Sequence, residues 1–191
     1  MAFDGTTVAA VTKELTEQLS GGRIAKIAQP ETDELLFTIK TPQGQKRLYI
    51  SASASLPLIY LTNVNKPSPM NAPNFCMLLR KHIGNGRITR ITQPGLERII
   101  QIQIEHLDDL GDLCRKTLVV EIMGKHSNII FCDADGRIID SIKHISAQMS
   151  SVREVLPGRP YFIPDTMGKK NPLTVDADTF IFTLKEKPCP L

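Results

Sequence analysis

The chain of 191 residues is long enough for one well-buried core, or for one domain and the start of another. With 41% hydrophobic and 23% charged residues it has a globular composition, and no apolar run approaches the ~18 residues of a membrane helix, which sets disordered and membrane-spanning classes aside. The net charge of +3 excludes little alone, but Arg80, Lys81, Arg87, Arg90 and Arg98 face a single acid, Glu97, over residues 80–98, so a local polyanion-binding face is in play.

The start, Met-Ala-Phe-Asp-Gly-Thr-Thr, lacks the cationic and apolar regions of a secretory signal, which points to a cytoplasmic protein. Val8, Val11, Leu15 and Leu19 then recur at helical spacing, with Thr6 or Thr7 placed to cap the helix and Gly21-Gly22 to end it. Next comes GRIAKIAQP at 22–30, which returns as GRITRITQP at 86–94, 64 residues on, with Gly, Arg, Ile, Ile, Gln and Pro in place. This is the mark of an internal duplication. Ahead of the second copy, Pro73 suits a first helical turn, Phe75, Leu78, Leu79 and His82 share a face, and Gly84 closes the helix.

Strands are expected at 35–40, 46–52 and 57–62 in the first copy, and at 99–105, 113–123, 128–133 and 137–142 in the second. Ile100, Ile102 and Ile104 alternate with Gln101, Gln103 and Glu105, as in a strand with one buried face, and Asp135-Gly136 supplies a tight hairpin turn. Phe37, Tyr49, Tyr60 and Phe131 fall in strands and are expected to be buried, which leaves no platform for base stacking. Residues 145–173, with Pro157-Gly158, Pro160, Pro164 and Pro172, predict an extended wrap, after which Asp176 or Asp178 caps a helix to about Lys187. The pattern predicts an α+β fold: an internally duplicated antiparallel β-sandwich flanked by two helices. Its domain covers 1–174, with copy one at about 5–65, copy two at about 70–143 and the wrap at 145–173, and 175–191 opens the next, truncated region.

Cys76, Cys114, Cys132 and Cys189 form no C-x-x-C pair, and His82, His106, His126 and His144 have no ligand spacing, so neither a metal nor another cofactor is expected. Gly124-Lys125-His126-Ser127 is not a P-loop: Val119 stands where that motif needs its first Gly, and a strand follows instead of a helix. Nor is there a G-x-S-x-G elbow for a Ser-His nucleophile, so the stretch is a hairpin loop carrying a cation and an imidazole, with no catalytic group assigned. After the Pro94-Gly95 turn, alternation puts Arg98 in phase with Ile100 and Glu97 on the opposite face. At the offset of the repeat Asp33 matches Glu97 and Glu34 matches Arg98, and an Arg on an apolar phase needs a carboxylate, carbonyl or phosphate partner.

The blocks MAFDGTTVAAVTKEL, PNFCMLLRKHIGNGRI, EIMGKHSNIIFCD and LPGRPY resemble the N-terminal domain of the NFACT family, over about 160 residues in order. That family comprises ribosome-quality-control factors of the bacterial RqcH and eukaryotic NEMF types, some of them named fibronectin-binding protein A. The resemblance implies a fold like the N-terminal domain of formamidopyrimidine-DNA glycosylases. It implies binding to a large ribosomal subunit that carries peptidyl-tRNA, and recruitment of tRNA for untemplated C-terminal alanine tailing, with peptide transfer left to the ribosome. The family's acid-Arg pair falls on Glu97 and Arg98, with Glu where Asp is usual, and its later domains would follow residue 191. The expected tRNA- and rRNA-binding residues are thus Glu97, Arg98, Lys125, His126, Arg80, Lys81 and Arg87. Two alternatives remain: a fibronectin-binding adhesin, and a glycosylase-type enzyme, against which Ala2-Phe3 stand where that family has a Pro nucleophile followed by Glu.

Overall fold

A computed structural model describes residues 3–108, 110–164 and 174–186; Pro172, Lys187 and Cys189 lie outside them. The first helix, α1 (Gly5–Leu19), buries Val8, Leu15 and Leu19. Its cap is Asp4 rather than either threonine: Asp4 is extended and its Oδ1 accepts the Thr7 N–H at 2.7 Å. In α2 (Asn74–Ile83), Pro73 takes the cap position, and the buried stripe is Phe75, Cys76, Leu79 and Ile83. The stripe is rotated from the expected one, leaving Leu78 and His82 half-buried. A third helix, α3 (Ala177–Glu186), begins beside Asp176, which accepts from the Thr179 N–H at 2.8 Å.

Among the described residues there are nine strands, seven on the expected runs and two, β1 and β5, on the repeated Gly-Arg-Ile segments: β1 (Arg23–Ala28), β2 (Glu34–Thr41), β3 (Gly44–Ser51), β4 (Leu58–Leu61), β5 (Arg87–Thr92), β6 (Ile99–Leu107), β7 (Leu113–Glu121), β8 (Asn128–Cys132) and β9 (Ile138–Ser141). The expected pair of sandwich sheets is instead one hydrogen-bonded antiparallel sheet, ordered β4-β3-β2-β1-β5-β6-β7-β8-β9. Its halves join at a narrow seam, where Arg23 pairs with Arg87 and backbone amides of both halves cross: Ile24 N–H to Gly86 O and Ile88 N–H to Gly22 O at 2.9 Å, Gly21 N–H to Ile88 O at 2.8 Å and Asn85 N–H to Ile24 O at 3.0 Å. Ile24, Phe37, Ile39 and Leu48 from one half and Ile88, Ile102, Ile104 and Leu118 from the other line one small void. The apolar faces of the halves therefore meet in a shared core, where each fully buried Ile or Leu contributes roughly 1.5–3 kcal/mol.

Both arms of the seam are built alike. A bulge interrupts β1 between Ile24 and Lys26, and another interrupts β5 between Ile88 and Arg90. A Cβ on Gly22 would come within 2.7 Å of Ile39, and one on Gly86 within 2.7 Å of Ile104, so both approaches require glycine. The helices cross over: the Thr16 hydroxyl of α1 donates to Ile91 O in β5 at 3.3 Å, and Arg80 Nε of α2 donates to Ile27 O in β1 at 2.8 Å.

On the other face of the second half, Ile99, Val119, Ile130 and Ile138 form a separate cluster with Val155, flanked by Ile145 and Tyr161. The described part of the Pro-rich wrap covers this face through the bridges Ile145–Val155 and Arg137–Pro160. With apolar cover on both sides, β8 is buried at every position. Phe37 and Phe131 are buried as expected, whereas Tyr49 is half-buried and Tyr60 exposed, because they project from the uncovered side of β3 and β4.

Candidate functional site

The connection from β5 to β6 runs through Gln93-Pro94-Gly95-Leu96-Glu97-Arg98, and Gly95 takes a positive φ of 52°. Gln93 Nε2 donates to Glu97 O and to Gly5 O, both at 2.8 Å, and thereby ties the turn to the first turn of α1. Gly5 is obligatory there, since a Cβ would lie 2.2 Å from Leu96 O. Arg98 is exposed at a bend and β6 starts at Ile99, so Arg98 does not take the apolar phase that strand alternation predicts. Glu97 is half-buried.

Strand register also corrects the match between the copies. Lys26 faces Thr38 and Arg90 faces Gln103, one residue further along than the repeat offset predicts. Gln29 Nε2 donates to Thr32 O as Gln93 does to Glu97 O, and Ala52 N–H donates to Asp33 O as Ile122 N–H does to Arg98 O. Arg98 therefore stands in the place of Asp33, and Glu97 in the place of Thr32. The second turn holds one residue more than the first.

The Ile122–Arg98 bond, at 2.8 Å, brings this turn against the β7–β8 connection. There Gly124, at a φ of 58°, opens a short 3₁₀ turn from Gly124 to His126, and the buried Ser127 accepts the Met123 N–H on its Oγ at 2.8 Å. The loop is the predicted hairpin connection: its Ser is structural, while Lys125 and His126 are exposed. The structure thus gathers Glu97, Arg98, Lys125 and His126 at one end of the sheet.

Arg80, Lys81 and Arg87 are not among them. Arg80 and Lys81 end α2 beside β1, and Arg87 sits at the seam with its Nε donating to Gly21 O at 3.2 Å. Arg87 pairs with Glu105, seven residues along the chain from Arg98, a separation of roughly 23 Å at 3.3 Å per residue.

Beneath the loop lies a cavity of about 280 Å³ lined by Lys125, His126, Ser127, Lys143, Arg153 and Glu121. Glu121 is fully buried and forms an ion pair with Arg153, while the Tyr161 hydroxyl donates to its Oε1 at 2.9 Å. Burial works against the Arg153 charge, but the hydrogen bond to Glu121, the charge of Glu121 and the neighbouring Tyr161 together outweigh it and raise the guanidinium's pKa. Burial, and then the charge of Glu121, push the Tyr161 phenol far above its ordinary range. Lys143 Nζ donates to Ala52 O and to Ser127 O, closing the loop onto the end of β3. Sequence reasoning missed Glu121, Lys143, Arg153 and Tyr161; the available signal was an acid inside the apolar run Leu118-Val119-Val120-Glu121-Ile122. The arrangement presents cations and backbone edges to a ligand. Among the described residues no group of His, Cys, Asp and Glu is placed to hold a metal ion.

The family described as NFACT N-terminal and middle domains matches residues 4–189. A Bacillus subtilis protein, "Rqc2 homolog RqcH", is 42% identical over 182 residues, which is 95% of this chain and 32% of that protein, so the chain spans about a third of that relative's length. Among solved structures, the N-terminal domain of fibronectin-binding protein PavA from Streptococcus pneumoniae superposes with a TM-score of 0.89 at 34% identity, covering 98% of this chain and 70% of that one. The N-terminal part of the fibronectin/fibrinogen-binding protein of Streptococcus suis gives a TM-score of 0.90 at 36% identity, covering 97% and 70%.

Proposed function

The chain belongs to the NFACT N-terminal domain family, and from that premise we propose that it is the RNA-binding domain of a ribosome-associated quality-control factor. In this reading it binds tRNA on stalled large ribosomal subunits and helps recruit it for untemplated alanine tailing, and it positions RNA while performing no chemistry of its own. The observation that carries the reading is the backbone bond from Ile122 to Arg98, which puts exposed Arg98 beside exposed Lys125 and His126 on a frame 42% identical to RqcH. Guanidinium and ammonium groups at such an edge suit phosphates, and Glu97 suits a ribose or base donor.

The recurring bulges, glycine approaches and glutamine bonds support reading the two halves as copies of one helix-strand unit. The likeness to formamidopyrimidine-type glycosylases extends, in this proposal, to the fold and not to the chemistry. The test is tRNA affinity of the full-length protein across ionic strength. The affinity of the unaltered protein falls steeply with salt, and Glu97→Ala with Arg98→Ala weakens it at every salt concentration; a flat salt profile or an unaltered double variant overturns the assignment.

A second reading, fibronectin binding, is favoured by the names of both solved neighbours. A fibronectin pull-down at physiological salt against a charge-matched control protein decides it: equal capture of the control removes this reading.

A further inference from the structure

Strand register lines up five residues across the middle of the sheet. Lys40 on β2 pairs with Arg23 on β1, Arg23 with Arg87 on β5, Arg87 with Glu105 on β6, and Glu105 with Arg115 on β7. Directly paired residues project from the same face, so these side chains form a row across five strands, roughly 19 Å long at about 4.8 Å per step. Lys40, Arg23, Arg87 and Arg115 are exposed. The bulges add exposed Lys26 and Arg90 to the same face on either side of the row, opposite Thr38 and Gln103.

Folding does not account for this row. Like charges set directly opposite across strands are destabilising, and two successive pairs here, Lys40–Arg23 and Arg23–Arg87, are of that kind. Glu105, the acid in the row, already bonds Arg115 at 2.8 Å. Among the described residues Arg23, Lys26, Lys40 and Arg90 form no ion pair.

We propose that this row is a second nucleic-acid contact, a straight track for an RNA phosphodiester backbone across the seam, remote from the Glu97–Arg98 turn. Guanidinium forks match phosphate geometry, and a regular linear spacing suits a chain of repeating charges. Thr38 and Gln103 flank the row, and its exposed apolar neighbours, Leu107 and Leu113, lie beside Glu105 and Arg115 at one end, whereas a protein partner needs an apolar or aromatic anchor at the centre of its interface. With no group aimed at bases, the track is indifferent to sequence. The proposal rests on the RNA-binding reading above, and it gives Arg87 a place that the turn and loop do not.

The test uses the full-length protein with two fluorescent probes, bulk tRNA and an oligouridylate of about 20 nucleotides, titrated at several salt concentrations. Arg23→Gln with Lys40→Gln raises Kd for both probes about tenfold and lowers the slope of log affinity against log salt by about 1.5–2. Arg23→Lys with Lys40→Arg, which keeps the charge, restores both values. If the Gln variant binds both probes normally while Glu97→Ala with Arg98→Ala weakens tRNA, the track is wrong and the functional reading stands. If the Gln variant weakens both probes while the Glu97 and Arg98 variant changes nothing, the track stands and the turn loses its role. Displacement of the probes by polyglutamate at lower charge equivalents than by unlabelled RNA makes the row an acidic-peptide site and overturns the proposal.

Discussion

Each half of the molecule carries an acid, a cation and a tyrosine, and the two trios differ in burial more than in chemistry. In the first half Lys66 binds Glu34 at 2.7 Å and lies 5.3 Å from the centre of the Tyr49 ring. In the second, Arg153 binds Glu121 and lies 5.6 Å from the centre of the Tyr161 ring. The side chains of Lys66 and Glu34 are 41% and 13% exposed, against 10% and 0% for Arg153 and Glu121. The acid has also changed strand: Glu34 on β2 pairs with Ser51 on β3, whereas Ile99 on β6 pairs with Glu121 on β7. Exposure of Lys66 makes the first trio a surface feature on the uncovered face of β2 and β3. Burial makes the second the clamp that holds the wrap under the loop of Lys125 and His126.

The largest test of this contrast is removal of the acids. Glu121→Ala strands a buried Arg153 and costs about 3–5 kcal/mol, while Glu34→Ala costs under about 1 kcal/mol, both by urea unfolding; equal losses would erase the distinction. Removing the hydroxyls is a milder form of the same comparison. Tyr161→Phe deletes a bond to a buried carboxylate and costs about 1.5–3 kcal/mol, whereas the half-buried Tyr49 shares its acid, Glu34, with Lys66, whose Nζ lies 3.5 Å from the Tyr49 hydroxyl, and Tyr49→Phe costs about 0.5–1 kcal/mol in thermal melts.

The glutamines extend the comparison to the turns. Gln93 spans two carbonyls where Gln29 holds one, and Gln29 Oε1 lacks a partner among the described residues. Gln93→Ala costs about 1–2 kcal/mol and, on the proposed RNA-binding function, weakens tRNA binding through the loosened Glu97–Arg98 turn; Gln29→Ala costs less and on that proposal leaves tRNA binding intact. A tRNA affinity indifferent to Gln93 would detach the turn from the function.

The smallest effect is alkaline. Burial, and then the hydrogen bond to Glu34, push Tyr49 up to about 12, and Tyr161 is held higher still. A raised phenol pKa favours the folded state while the phenol is neutral. The stabilisation is therefore complete below the unfolded value of about 10 and is lost as pH rises through the folded one. The expected outcome of an ultraviolet titration of the folded protein is a Tyr49 step at about 12 that Tyr49→Phe abolishes, with Tyr161 ionising only on unfolding. A Tyr161 step near 10 in the folded protein breaks the burial argument.

Much of this was legible in the chain. The alternation of Ile100, Ile102 and Ile104, the glycines ending α1 and α2, and the Asp135-Gly136 turn fixed strands and helices because they are local consequences of period and backbone freedom. Of the seven residues expected to bind RNA, Glu97, Arg98, Lys125 and His126 lie at one end of the sheet, while Arg80, Lys81 and Arg87 lie elsewhere. The match of Arg98 to Glu34 did not survive, because one extra residue in the second turn shifts every later position and only strand pairing registers it. Tyr49 and Tyr60 reached solvent because strand periodicity marks two faces without saying which one a neighbouring segment will cover.

By itself, then, the sequence determined the order of elements, the repeated Gly-Arg-Ile arms and the family, since each is written in contiguous residues. Only the tertiary structure decided that Arg23 faces Arg87, that the helices cross to the opposite half, and that Glu121 meets Arg153 and Tyr161. Those partners lie tens of residues apart in the chain. Nothing local specifies them; they are set when the halves close over a shared apolar core and the remaining polar groups must find partners in whatever geometry that closure leaves.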